Sequence, residues 1–226
     1  MTADGNERHL TILVDVDNTL LDNDRAKADL DRALGEQLGE VGRARFWEVY
    51  EAVRAEQGVV SIPLTLAAFD ATDPDPARRR RLAALFMTFP YADYLYPGAT
   101  AALAHLHRLG RVVILSDGDP VFQVSKIWRA GLTAAVDGNV LVFDHKEQHV
   151  TEIAAAYPSE RWAVVDDKPP LLRAVAERLP GPTATVLVRQ GHYYRTAGPG
   201  AEAGMARVLG AIGEAAGLTA ADLRAD

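Results

Sequence analysis

The sequence predicts an α/β protein built on a doubly wound parallel sheet, with an all-helical segment inserted after the first strand. Short apolar runs recur along the chain, and they are continuous rather than alternating, as expected of strands covered on both faces. Helix-like patterns separate these runs. One long interval, residues 23–95, contains helical patterns and no convincing strand. Alternation of strand and helix is typical of a parallel sheet with helices on both sides.

Five apolar runs predict the strands of the core. In chain order they are Leu10–Val14, Val112–Leu115, Val140–Phe143, Ala163–Val165 and Ala184–Val188, of which the third is the weakest. The helix after residue 98 carries leucines at three-residue spacing and stops at Gly110, a typical glycine just past a helix end. The next helix begins with Asp119 and Pro120 as its cap and first turn, and it ends at Gly131.

The interval between the first two strands predicts a small cap domain. Its helical patterns are Arg25–Leu38, Ala44–Gln57, Pro63–Asp70 and Ala77–Phe86. We therefore expect an α/β core domain formed by residues 1–22 and 96–226, and a helical cap domain formed by residues 23–95, with a hinge at Pro97 and Gly98. The tail after Arg195 predicts a glycine-rich turn and a terminal helix.

Composition excludes several classes of function. The net charge of −7 argues against nucleic acid as a partner. The absence of cysteine excludes disulfides, thiolate catalysis and cysteine-ligated metals. The chain starts with a polar segment and has no run of about 18 apolar residues, so we expect no membrane association and a cytoplasmic location. The oligomeric state, monomer or homodimer, is left open by the sequence.

Polar and charged residues follow the strands where each strand ends. Asp15 and Asp17 leave the first strand on the same side, because side chains alternate along a strand. The second strand ends in Ser116, Asp117 and Gly118, and the fourth ends in Asp166 and Asp167, while Lys146 follows the weaker strand. Ligands of open α/β sheets bind at the carboxyl edge of the strands. We expect these groups to converge there.

The predicted cluster suits a phosphoryl group and a divalent cation. Carboxylates within a few ångströms of one another cannot all stay ionised without a cation. Mg²⁺ prefers oxygen ligands and often shares its site with a phosphate. A lysine binds phosphate as a point charge, and we expect the helix after Ser116 to add free backbone donors. No P-loop pattern is present, so a carboxylate nucleophile is the natural candidate.

These motifs resemble those of the haloacid dehalogenase-like (HAD) hydrolase superfamily. The stretch "DVDNTL" is similar to the DxDxT signature of the family, Ser116 to its second motif, Lys146 to its lysine, and "VVDDK" to its acidic fourth motif. All four occur in the family's order, and the helical insertion resembles the family's C1-type cap. The resemblance implies a Rossmann-like core and hydrolase activity.

The resemblance implies roles for individual residues. Asp15 would be the nucleophile that becomes an aspartyl phosphate, and Asp17 would protonate the leaving oxygen and then activate water. Ser116 and Lys146 would complete the catalytic set, contacting the phosphoryl group. Thr19 would support the turn after the strand. The residues expected at the substrate are Thr19, Ser116, Asp117, Gly118 and Lys146.

The resemblance also implies Mg²⁺ as the cofactor. Its ligands would be Asp15, the backbone carbonyl of Asp17, and Asp166 or Asp167, with Asp167 favoured for direct ligation. The dehalogenating members of the family lack the second aspartate of the first motif, and this chain keeps Asp17. We therefore expect hydrolysis of a small phosphorylated metabolite, with dehalogenation disfavoured.

Three other functions share these residue types. A phosphomutase would return the phosphoryl group to its substrate. A response-regulator receiver also gathers aspartates, a hydroxyl group and a lysine around Mg²⁺, but it is shorter and has no helical insertion. A non-catalytic phosphate-binding or regulatory protein on the same fold is the third alternative.

Several other residues have simpler structural interpretations. Lys126 competes with Lys146 for the role of the family's lysine, but it is expected on a helix surface. His145 and His149 are expected to be polar neighbours of Lys146 rather than zinc ligands.

Arg25, Lys27, Trp47 and Tyr50 are candidates for substrate contact, but the helical spacing of the two aromatic residues favours core packing.

Overall fold

The computed structural model describes residues 9–58, 60–71 and 75–225. Residues 1–8 at the start of the expected core domain lie outside the described residues. The fold is a six-stranded, wholly parallel sheet in the order β3-β2-β1-β4-β5-β6, with helices on both faces. Its strands are β1 (Leu10–Val14), β2 (Arg111–Asp117), β3 (Val140–Phe143), β4 (Arg161–Asp166), β5 (Thr183–Val188) and β6 (Arg207–Leu209). The expected α/β fold class is confirmed.

The α-helices alternate with the strands except between β1 and β2. They are α1 (Asn23–Gln57), α2 (Ile62–Asp70), α3 (Pro76–Thr88), α4 (Ala99–Leu106), α5 (Pro120–Arg129), α6 (Leu132–Ala135), α7 (Val150–Ala156), α8 (Pro169–Arg178) and α9 (Gly191–Thr196). Short 3₁₀ helices cover Tyr91–Tyr94, Lys146–Gln148 and Ile212–Gly217. No helix within the described part of the chain combines the length and apolarity that crossing a membrane requires.

The sheet buries both of its faces. Ile12 and Val14 of β1 belong to one cluster of buried side chains, while Leu13 between them belongs to a second cluster on the opposite face. Successive residues of a strand point to opposite faces, so a strand covered on both sides is apolar at most positions rather than at alternate ones. This explains the continuous apolar runs. Strand β3, which has the weakest apolar run, is an edge strand whose four residues are all half-buried.

The helical segment between β1 and β2 has its own apolar centre. Helix α1 is interrupted at Gly39, whose φ of 68° and ψ of 172° are not helical, so it is two helical stretches as the sequence predicts. Phe46 stacks on Phe86 with ring centroids 5.5 Å apart, and it meets the edge of Phe69 at 5.5 Å. The segment therefore packs around aromatic side chains that it supplies itself.

The two chain connections to this helical segment lie side by side. The amide of Asp22 donates to the carbonyl of Tyr94 at 2.8 Å, and the amide of Tyr96 donates to the carbonyl of Leu20 at 2.9 Å. Asp22 also caps α1, since its carboxylate accepts from the amide of Arg25. Because the two connections are hydrogen-bonded side by side, one end of the helical segment lies beside the loop that carries Asp15 and Asp17.

The carboxyl-terminal region differs from the expectation. The sequence predicts a terminal α-helix after the glycine-rich turn, and this prediction is wrong. The chain instead adds the edge strand β6 and then a 3₁₀ helix, Ile212–Gly217. Strand β6 has three residues, too few to produce a recognisable apolar run.

Candidate active site

The functional side chains lie at the carboxyl edge of the sheet, where the parallel strands end together. Asp15 directly follows β1, Asp166 ends β4, and Lys146 opens the 3₁₀ helix after β3. The Lys146 ammonium donates to Asp15 Oδ1 and to Asp166 Oδ2, each at 2.7 Å. All three side chains are at most 2% exposed. Burial opposes the charged form of Lys146, but the two carboxylates outweigh it and raise its pKa.

Three buried carboxylates face one another at this edge. Oxygen atoms of Asp15, Asp166 and Asp167 lie within 4.8 Å of one another. Asp166 is fully engaged, because its second oxygen accepts from the amide of Lys168 at 2.8 Å. Asp15 Oδ2 and both carboxylate oxygens of Asp167 have no hydrogen-bond partner among the described residues. Buried carboxylate oxygens need a cationic or donor partner, so this group fits an oxygen-ligated cation.

The electrostatics of Asp167 support the same interpretation. Burial, together with the neighbouring carboxylates of Asp166 and Asp15, raises the pKa of Asp167 to about 9. Without an added positive charge this carboxyl group would hold a proton at neutral pH. A divalent cation would replace that proton and restore the carboxylate.

The end of β2 contributes a serine and an aspartate, but fewer free amides than expected. Ser116 Oγ accepts from Gln123 Nε2 at 2.8 Å, and Asp117 Oδ1 accepts from the amide of Lys146 at 2.9 Å. The Gly118 amide donates to the carbonyl of Phe143 at 2.8 Å. At the start of α5, the backbone amides of Val121 and Phe122 donate to the carboxylate of the capping residue, Asp119. The expectation of free backbone donors is therefore wrong for these amides, although Asp117 and Gly118 line the cavity.

Asp17 lies beside a lysine that the sequence analysis placed elsewhere. Lys126 is 4% exposed, and its ammonium donates to Asp17 Oδ2 at 2.7 Å and to Asn23 Oδ1 at 3.2 Å. Gln123 Nε2 also reaches Asp17 Oδ2, at 3.3 Å. The expectation of a helix-surface lysine is wrong because α5 starts at the carboxyl edge of the sheet. Gln123 and Lys126 are three residues apart on it and share the helix face turned toward the site.

Lys168 is a second cation that the sequence analysis did not single out. Its ammonium lies 4.8 Å from the ring centroid of Tyr193. Burial opposes its charge, but the carboxylates of Asp15 and Asp166 outweigh that effect and raise the pKa of Lys168. The sequence signal that could have identified Lys168 is its position directly after the acidic pair Asp166 and Asp167.

The segment after β5 contacts the loop after β1 and fixes its position. The Gln190 side-chain amide donates to the carbonyl of Thr19 at 3.1 Å. Gly191 has a φ of 68°, and a Cβ there would lie 2.3 Å from Asn18 Cβ and 2.8 Å from Asp167 Oδ2. Only glycine fits such a close approach. Thr19 itself is fully buried under the turn and is not among the described residues that line the cavity.

The two histidines near Lys146 lie on the solvent side of the segment that follows β3. His149 contacts Asp144 at 3.0 Å and Glu152 at 2.8 Å, and its ring stacks on Phe143 with centroids 4.5 Å apart. His145 and His149 do not belong to the group of possible metal ligands found in the described part of the chain.

A cavity of about 370 Å³ opens over this edge of the sheet, between the sheet and the helical segment. Asp17, Gln123 and Lys126 lie on its floor, and helix α1 contributes its opposite wall. A volume of this size is at the lower end of the range of small-molecule sites.

The chain belongs to the haloacid dehalogenase-like hydrolases. The family model for these hydrolases matches residues 9–188. A haloacid dehalogenase-like hydrolase from Burkholderia xenovorans is 35% identical, and the match covers 95% of this chain and 98% of that chain with a TM-score of 0.83. The family assignment made from the four sequence motifs is confirmed. A search of curated proteins gives no match.

Two more distant structures share the fold. One is the HAD-hydrolase YfnB from Bacillus subtilis bound to magnesium, 17% identical over 92% of this chain and 97% of that chain, with a TM-score of 0.57. The other is L-2-haloacid dehalogenase from Xanthobacter autotrophicus with chloropropionic acid covalently bound. It is 20% identical over 92% of this chain and 97% of that chain, with a TM-score of 0.56.

Proposed function

We propose that this hydrolase is a Mg²⁺-dependent phosphatase that hydrolyses a small phosphorylated metabolite through an aspartyl phosphate on Asp15. One observation carries the proposal. Asp15 offers an unpartnered buried oxygen beside Lys146, and Asp17, a second carboxylate two residues further on, lines the cavity at the same edge of the sheet. A nucleophile and a separate proton donor at one strand end match the needs of ester cleavage.

The first half of the reaction forms the intermediate. A carboxylate oxygen of Asp15 attacks phosphorus, the bond from phosphorus to the ester oxygen breaks, and Asp17 gives its proton to the departing alkoxide. Lys146 faces Asp15, where its positive charge offsets the repulsion between the Asp15 carboxylate and the incoming phosphoryl group. Ser116 lies at the end of the adjacent strand, where its hydroxyl group would donate to a phosphoryl oxygen.

The second half regenerates the enzyme. Asp17, now a carboxylate, takes a proton from a water molecule as that water attacks phosphorus. The bond between phosphorus and the Asp15 oxygen breaks, which releases inorganic phosphate and restores the Asp15 carboxylate. Lys126 and Gln123 hold the Asp17 side chain in one position through both steps.

The residues present fit a Mg²⁺ ion. Asp15 and Asp167 supply the unpartnered carboxylate oxygens, and the backbone carbonyl of Asp17 is the third proposed protein ligand. Asp166 would orient the site through Lys146 and the Lys168 amide rather than ligate directly. Bound Mg²⁺ supplies positive charge that offsets the phosphoryl oxygens and the carboxylates. The magnesium in YfnB agrees with this proposal.

The helical segment is proposed to act as the cap. It forms one wall of the cavity, and its two chain connections lie side by side at residues 20–22 and 94–96. Closure over a bound substrate would exclude bulk water from the intermediate and select the leaving group. The proposed boundaries of this cap are residues 23–95.

Carbon–halogen hydrolysis is the alternative that the Xanthobacter enzyme's name raises. A halide leaving group needs no proton, whereas an alkoxide does. The placement of Asp17 on the cavity floor, held by Lys126 and Gln123, favours the phosphate ester.

The test is release of inorganic phosphate from a panel of phosphorylated metabolites, with Mg²⁺ and with a chelator, alongside halide release from 2-haloacids. Asp15→Asn should abolish phosphate release. The matched control is Asp137→Asn, because Asp137 is exposed and its φ of 52° is one that asparagine adopts readily. Halide release without phosphate release would contradict the proposal, as would full activity in Asp15→Asn.

A further inference from the structure

The part of helix α1 that lines the cavity carries a lysine whose ammonium lies over two aromatic rings. The Lys27 ammonium lies 5.0 Å from the ring centroid of Trp47 and 5.1 Å from that of Tyr50. The two rings meet edge to face with centroids 5.1 Å apart. We call Lys27, Trp47 and Tyr50 the aromatic clasp. All three line the same cavity as Asp17, so Trp47 and Tyr50, which pack with the core as their spacing predicts, also present their rings to the cavity.

The clasp is fixed in place before any ligand binds. Trp47 Nε1 donates to Asp31 Oδ1 at 2.6 Å, and Asp31 is bound in turn by Arg43 Nη1 at 2.8 Å. Tyr50 is buried, and this burial raises its pKa to about 12, so its phenol stays neutral. A preorganised wall of this kind loses little conformational entropy when it binds a ligand.

The Lys27 ammonium has no hydrogen-bonded carboxylate partner among the described residues, although it interacts electrostatically with Asp31. In the described part of the chain no hydrogen bond or ion pair joins Lys27 to another residue, and the nearby Asp31 is engaged by Arg43 and Trp47. Carboxylates that line the cavity are also engaged: Asp17 by Lys126, and Asp24 by Arg195 at 2.6 Å. The ring faces are the contacts that Lys27 has, and an anion would be a stronger partner for it.

A second lysine of the cavity, Lys168, also lies over an aromatic ring, near the buried carboxylates. The ring is that of Tyr193, and Lys168 interacts electrostatically with Asp15 and Asp166, to which Lys146 is hydrogen-bonded. Among the described residues, four cations therefore line the cavity: Lys126 and Lys168 from the core, and Lys27 and Arg54 from helix α1. Lys126 is paired with Asp17, and Arg54 with Glu51 at 3.4 Å. Apolar side chains, including Leu30, Ile62 and Phe122, lie along it.

We propose that the substrate is a phosphomonoester whose leaving group has a compact apolar body and a second anionic oxygen group, such as a carboxylate, which Lys27 binds. Trp47 and Tyr50 contact the apolar body. This inference rests on the proposed phosphatase function and names its substrate class. The volume of about 370 Å³ limits the leaving group to a small molecule.

The test compares matched probes that differ in one charge. Carboxyphenyl phosphates, with the carboxylate ortho, meta or para, are assayed beside the corresponding neutral carboxamides. The wild-type enzyme should prefer one carboxylate over its carboxamide by about tenfold or more in kcat/KM, mainly through KM. Lys27→Met should remove this preference, and Lys27→Arg should keep most of it. Arg45→Met is the control, since Arg45 is an exposed cation of the same helix that does not line the cavity.

A binding measurement separates this inference from the phosphatase proposal. Titration calorimetry with carboxybenzylphosphonates and their carboxamides, which are not hydrolysed, reports carboxylate selectivity without turnover. Selectivity that Lys27→Met removes supports the clasp, even if no phosphate ester is hydrolysed and the phosphatase proposal fails. Equal hydrolysis or equal binding of carboxylate and carboxamide by the wild-type protein overturns the clasp and leaves the phosphatase proposal intact.

Discussion

The ion pair between Lys126 and Asp17 predicts a measurable coupling in protein stability. The Lys126 side chain is 4% exposed and that of Asp17 is 24% exposed, and the ammonium lies 2.7 Å from Asp17 Oδ2. Exposed pairs contribute about 0–1 kcal/mol, whereas breaking a fully buried pair costs about 3–5 kcal/mol. A pair with one buried and one partly exposed partner should lie between these ranges. We expect a coupling free energy of about 2 kcal/mol.

The assay is a double-mutant cycle by urea unfolding in the presence of a chelator. The free energies of unfolding of wild type, Lys126→Met, Asp17→Asn and the double variant give the coupling. The full cycle is needed because Lys126→Met alone also leaves a partly buried carboxylate without its cation. The exposed pair of Asp24 and Arg195, 2.6 Å apart, is the control, and its coupling should be below about 0.5 kcal/mol. Additive single variants at Lys126 and Asp17 would refute the reasoning.

Four further predictions concern the site and the loop beside it. Asp15→Asn should abolish turnover and leave the circular dichroism spectrum unchanged; residual activity would remove Asp15 from the nucleophile role. Millimolar Mg²⁺ should raise the melting temperature of the wild type, and Asp167→Asn should abolish that shift. Because the pKa of Asp167 is raised to about 9, the metal-free wild type should lose stability as pH rises from about 5 to 9, and Asp167→Asn should lack this component. Gly191→Ala should lower the free energy of unfolding by about 2 kcal/mol or more, since its Cβ would lie 2.3 Å from Asn18 Cβ. Gly198→Ala has a similar φ of 73° and open space, and should cost less than Gly191→Ala.

The sheet and the reacting edge could be predicted because their signals are local. A strand buried on both faces is apolar over most of its length, and β1, β2, β4 and β5 show this, while the half-buried edge strand β3 has a weaker run. Parallel strands end at one edge, which is why the sequence alone predicts that Asp15, Lys146 and Asp166 lie together. The short strand β6 left no such signal, because it has only three residues.

The details that depend on tertiary contacts could not be predicted. Lys126 has the spacing of a surface residue, and only the direction in which α5 leaves the sheet buries it against Asp17. The local sequence shows no acceptor for the Gly118 amide, but the carbonyl of Phe143 in the neighbouring strand β3 accepts its hydrogen bond. Trp47 has core-like spacing, yet its ring lines a cavity because Asp31 holds its indole nitrogen.

The most direct test of the central claim is a turnover experiment in ¹⁸O-labelled water, with mass spectrometry of the released phosphate and of the peptide that contains Asp15. Attack of water on phosphorus places the label in inorganic phosphate and leaves both Asp15 oxygens unlabelled. This is the result that an aspartyl phosphate on Asp15 predicts. Label in the Asp15 carboxylate would mean that water attacks the carbonyl carbon of an alkyl ester, as in carbon–halogen hydrolysis, and would contradict the proposed function.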